Sequence, residues 1–69
     1  MNRFTNISNT ELSLIIDDWI RNERDRKILK RRYIDGVRFE PLAEEFSLTV
    51  DRVKQIVYKA KAIIELHII

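Results

Sequence analysis

The 69-residue sequence predicts a small all-α domain of four helices, and three observations carry that prediction. Apolar residues recur at helical spacing along the whole chain, and runs that alternate with period two are absent. One Gly and one Pro leave few turns, so the elements are few and closely joined. Residues able to cap a helix start stand just ahead of the apolar stripes. A chain this short makes a single domain, 1–69, and buries only about 60% of the surface its unfolded form exposes, so its stability is modest.

The first helix takes Asn9 or Thr10 as N-cap, with Glu11 in the first turn, where the helix dipole favours an acid. Leu12, Ile15, Ile16, Trp19 and Ile20 then follow the i, i+3, i+4, i+7, i+8 rule, which assigns all five, Trp19 included, to the core. Asn22 interrupts the pattern. A second helix begins near Glu23 and places Ile28, Leu29, Arg32 and Tyr33 on one side. It stops short of Gly36, the residue suited to a left-handed position past a helix end. The third helix covers about 39–46. Pro41 is harmless in its first turn, because those amides have no intrahelical acceptor. Phe39, Leu42, Ala43 and Phe46 line one face. A fourth helix starts after Thr49, a good N-cap, and runs toward the end of the chain. Its buried stripe is Val53, Ile56, Val57, Ala60, Ile63 and Ile64.

Composition excludes several classes of function. There are no cysteines and one histidine, so neither a disulfide nor a protein-built metal site is expected, and no cofactor is called for. No apolar run approaches the roughly 20 residues that span a bilayer, and the first residues lack a signal peptide's apolar core; the expected location is the cytoplasm, with no membrane partner. Three serines and the lone histidine show no nucleophile–base spacing. The pairs Asp17–Asp18 and Glu44–Glu45 are sequence neighbours that point apart on a helix, so an enzyme is not expected.

Net charge is only +2, but its distribution is uneven. Residues 21–32 carry seven bases and two acids, and residues 52–69 four bases and one acid. The segments before each are acidic. Basic stretches of this kind suit either phosphate contact or a solvated helix face.

The stretch 42–56, "LAEEFSLTVDRVKQI", has the layout of a helix-turn-helix. Two helices that cross steeply need a small residue where they pass closest, and Ala43 supplies it. Leu42, Phe46 and Leu48 plug the corner, while Val53 and Ile56 anchor the second helix. Ser47 occupies the turn position at which glycine is usual, and a left-handed serine stores about 1 kcal/mol of strain. Burying those residues turns Thr49, Val50, Asp51, Lys54, Gln55 and Tyr58 outward, the positions that face the major groove in a DNA-binding helix-turn-helix. Lys54 suits guanine or a phosphate, Gln55 adenine, Asp51 cytosine and Val50 a thymine methyl. Arg52 on the flank suits a phosphate, as does Lys59. Arg24, Lys27 and Arg31 share one face of the second helix and form a further candidate phosphate grip.

Residues 49–60, "TVDRVKQIVYKA", together with the preceding "FEPLAEEFSL" and "RDRKILKRRYIDG", resemble region four of the housekeeping sigma factors, over about 23–64. The resemblance implies that Thr49, Asp51, Arg52, Lys54 and Gln55 contact promoter DNA in the major groove, and that the domain also packs on the β-subunit flap of RNA polymerase. Val50 stands where housekeeping members have arginine, which implies a different sequence preference. Nothing resembles the promoter-melting region two, so the chain is not expected to act alone as a sigma factor. The recognition segment fits the regulator family with a "T-V-x-x-H" core less well.

The tail "IIELHII" offers Ile63, Leu66, Ile68 and Ile69 beyond what one small core needs, and predicts a self-association or partner surface. His67 reads as a surface residue near a frayed end. Three functions compete: a free-standing DNA-binding regulator, expected to be a homodimer; the region-four half of a split sigma factor; and a protein-only adaptor that holds RNA polymerase or a sigma factor.

Overall fold

The computed structural model of the protein describes residues 7–67. Ile68 and Ile69, assigned above to the self-association surface, lie outside the described residues. Four helices follow in order, α1 (Asn9–Trp19), α2 (Glu23–Tyr33), α3 (Phe39–Glu45) and α4 (Val50–Glu65). The expected all-α, four-helix architecture is what the described residues adopt. α2 and α4 each pack on all three other helices, and α1 and α3 lie apart. Among the described residues, no helix is long and apolar enough to cross a membrane.

Side chains cap three of the four helix starts. α1 begins one residue earlier than Asn9 or Thr10 would give. Ser8 is its N-cap, and the Ser8 hydroxyl accepts from the Glu11 amide at 3.1 Å. Ser8 and Glu11 have the spacing of a capping box, a signal that the choice of Asn9 or Thr10 passed over. Asn22 ends the interruption by capping α2, its side-chain oxygen accepting from the Asp25 amide at 3.2 Å. Thr49 caps α4 in the same way, accepting from the Arg52 amide at 3.1 Å. Arg26 closes the other side of the α1–α2 junction. Its guanidinium donates to the carbonyls of Ile20 at 3.0 Å and Arg21 at 2.7 Å, satisfying acceptors that the end of α1 leaves open.

Two residues adopt a left-handed backbone, Gly36 (φ 73°) after α2 and Ser47 (φ 56°) after α3. Gly36 turns the chain so that the Val37 amide reaches back to the Arg31 carbonyl at 3.0 Å. Around Ser47 the bonds form a Schellman pattern. The Leu48 amide donates to the Ala43 carbonyl at 2.9 Å and the Ser47 amide to the Glu44 carbonyl at 3.2 Å. The turn therefore ends α3 with its carbonyls paired and re-aims the chain within three residues.

The core gathers Leu12, Ile16 and Ile20 from the first helix and its cap, with Ile28, Leu29, Leu42 and Ala43. α4 contributes Val53, Ile56, Val57, Ala60 and Ile64. Trp19 does not join them. It stays 49% exposed, because α1 ends there and Ile20 turns inward as the C-cap to take the core place. The indole instead stacks on His67, with ring centroids 3.6 Å apart and planes 6° from parallel. His67 is thus a partly buried stacking partner rather than a frayed surface residue. Ile7, Ile34 and Val37, absent from the expected core, pack against its edge from the connecting segments.

The two left-handed residues make opposite predictions. Ser47→Gly removes the serine's Cβ penalty and should stabilise the domain by about 0.5–1 kcal/mol, raising Tm by roughly 4 °C or more. Gly36→Ala introduces that penalty, with open space around the new methyl, and should destabilise by about 1 kcal/mol. Calorimetric melts of the two variants check both signs. Val53→Asp, by contrast, buries an unpaired carboxylate at a site with no exposure and should abolish the cooperative far-ultraviolet melt.

Candidate nucleic-acid interface

The corner between α3 and α4 positions the site. Leu42 and Val53 are fully buried, Ala43 is 3% and Ile56 5% exposed, and Phe46 and Leu48 close the edges against the same core. With those side chains turned in, Thr49, Asp51, Gln55 and Tyr58 are exposed along the start of α4. Lys54 is partly buried. Val50 departs from its expected outward placement and packs partly against the core. Helical Cβ atoms tilt toward the N-terminus, which leans this first residue of α4 back into the corner.

Two sets of contacts flank the helix. On one side, Arg52 Nη1 approaches Gln55 Oε1 at 3.4 Å, a long contact that leaves both side chains available. On the other, the Phe39 ring lies between helices. Arg32 stands 4.2 Å above its centroid and the Lys54 ammonium 5.7 Å away, and Tyr58 meets it edge-on at 6.1 Å.

The phosphate candidates divide by their surroundings. On α2, Arg24 pairs with Asp25 at 3.3 Å, Lys27 with Glu23 at 3.5 Å, and Arg31 with Glu45 at 2.9 Å and Asp35 at 3.2 Å. The hydrogen bond to Glu45, then that to Asp35, holds the Arg31 guanidinium above its ordinary pKa, so it is charged throughout any working range of pH. Lys27 and Arg31 border Phe46, at the end of α3. Arg52 and Lys59 lack a carboxylate partner among the described residues. They line a groove of about 540 Å³ between α4 and the α1–α2 junction, together with Gln55, Arg21 and the rim residue Trp19. Arg21 is missing from the sequence-derived set. The signal lay in the basic run 21–32, whose first residue the Asn22 cap holds off the helix and toward α4.

The tail residues also separate. Ile63 packs against the core and Ile64 is fully buried, so the monomer covers part of the expected excess itself. Leu66 remains 79% exposed.

A two-helix corner with a short turn and a capped, polar-tipped second helix defines the helix-turn-helix class. The family model for sigma-70, region 4, matches residues 22–62, and the chain belongs to that family. The family is a DNA-binding regulatory domain of transcription and not an enzyme family. The matched span takes in α2, α3 and most of α4, and leaves α1 outside. No curated protein and no solved structure gave a significant match.

Proposed function

We propose that the protein binds duplex DNA in a sequence-directed way by laying the start of α4 in the major groove. The observation that carries this reading is the corner itself. Val53 and Ile56 are buried while Asp51 and Gln55, on the same turns, are exposed. Gln55 then addresses adenine, Lys54 guanine or a phosphate, and Asp51 the cytosine amino group. Thr49 lies at the tip, Tyr58 follows one turn later, and Val50 offers only its uncovered side to a thymine methyl. Arg52, Lys59 and Arg21 supply backbone charge beside the helix. Arg24, Lys27 and Arg31 join them only by giving up surface carboxylates, exchanges that are cheap because exposed ion pairs are weak.

A second contact, with RNA polymerase, is favoured by the groove between α4 and the α1–α2 junction. Beside the basic residues assigned above to DNA, the groove is lined by the buried Ile20, Ile56 and Ala60 and by the exposed Trp19, and this apolar part, Trp19 above all, suits a protein contact.

Lys54→Ala and Gln55→Ala should each weaken a preferred duplex by about 1–3 kcal/mol and random duplex much less. Arg52→Ala or Lys59→Ala should weaken all sequences alike and lower the salt slope by about 1. Fluorescence anisotropy over a salt series checks both, and undiminished binding by the Lys54 and Gln55 variants removes α4 as the reading helix. For the second contact, tagged protein should recover RNA polymerase from solution. Trp19→Ala should reduce that recovery and leave duplex affinity unchanged. Recovery of polymerase with no duplex binding at all identifies the adaptor instead, and dependence of promoter binding on a separate region-two protein identifies the split sigma factor.

A further inference from the structure

Phe39 touches charged and aromatic groups from two other helices. It is the first residue of α3, partly buried, and its ring is shared by three neighbours. Arg32 of α2 lies over one face at 4.2 Å, a close cation–π distance, and Arg32 is itself fixed by donating to the Val37 carbonyl at 3.2 Å. Lys54 and Tyr58 of α4 reach the same ring at 5.7 Å and 6.1 Å, the second at an interplanar angle of 75°. Both distances lie within the ranges over which a cation and an aromatic edge are attracted to a ring. Lys54 and Tyr58 are one turn apart on α4, so the two contacts act on the same flank of that helix.

A lysine on a free helix face samples many rotamers, and fixing a long side chain on binding has an entropic cost. A lysine drawn to an aromatic face samples fewer. We propose that Phe39 is a positioning residue for sequence reading. Its ring, anchored by Arg32, holds the Lys54 ammonium and the Tyr58 ring on the groove-facing flank of α4 before DNA arrives. Phe39 itself reads no base. This inference rests on the duplex-binding reading of α4.

The test uses the full chain. A preferred duplex is first selected from a random-sequence library with the wild-type protein. Phe39→Leu keeps apolar bulk at the α3 start and removes the ring; Phe39→Tyr keeps the ring. Phe39→Leu should bind the preferred duplex about 2- to 10-fold more weakly, and random duplex about as well as the wild type. Phe39→Tyr should restore selectivity. The Phe39→Leu loss should vanish when Lys54 and Tyr58 are already alanine. Proton NMR of the free proteins supplies a readout independent of DNA: the Lys54 ε-methylene and Tyr58 ring signals should lose a ring-current shift in Phe39→Leu. Melting curves establish that each variant is folded. Equal selectivity of Phe39→Leu and wild type, unchanged Lys54 and Tyr58 signals, or an undiminished Phe39→Leu effect in the Lys54→Ala/Tyr58→Ala background each overturn the role given to Phe39. Failure of the wild type itself to select any duplex overturns the duplex-binding reading as well, so the two failures are distinct.

Discussion

Ala43 brings only a methyl group to the contact of α3 with α4, and its carbonyl receives the Leu48 amide that closes the turn between them. One residue therefore serves both the approach of the two helices and the exit of the chain from the first. A larger side chain would lift α4 away, and a shifted turn would rotate it. Either change moves Asp51 and Gln55, because Val53 and Ile56 are the fixed points from which their direction follows. Two backbone bonds, one side-chain cap at Thr49 and a handful of apolar contacts determine which way the tip of α4 faces.

Charge is distributed so that the second helix is largely compensated and the fourth is not. Glu23, Asp25, Asp35, Glu45 and Asp17 stand beside Lys27, Arg24, Arg31 and Lys30, with Asp17 reaching Lys30 across from α1 at 2.7 Å. Arg52, Lys54 and Lys59 have no such neighbour among the described residues. A net charge of +2 thus understates the field at the exposed side of α4, where uncompensated bases are concentrated. Most of the ion pairs on α2 join it to another helix or to its own ends, so their first effect is on packing and solubility.

The sequence made the corner legible because its signals are local. Thr49 as cap, Ser47 in a left-handed turn, Pro41 in a first turn and the 53–56–57–60–63–64 stripe each follow from spacing over a few residues. So does the family resemblance, whose motifs fall in the same stretch. What stayed hidden depended on distant partners or on where a helix stops. Trp19 has perfect stripe spacing, but the stripe rule holds only while the helix continues, and α1 ends at that residue. Glu45 meets Arg31 from 14 residues away and from another helix, a pairing that helical spacing does not reveal. The place of Arg21 beside Arg52 depends on how α1 and α2 are joined, which the Arg26 bonds to two carbonyls determine.

The stacked pair at the far end of the molecule has a spectroscopic meaning. Trp19 is the single tryptophan of the chain, so its emission has one source. An imidazole ring lies flat against it at 3.6 Å, and separating the two rings opens that indole face to water, which changes its emission. The brightness of the protein is therefore tied to the attachment of the C-terminal end of α4 to α1. The molecule carries its own optical gauge of that junction, beyond the opposite end of α4 from the exposed Thr49 and Asp51.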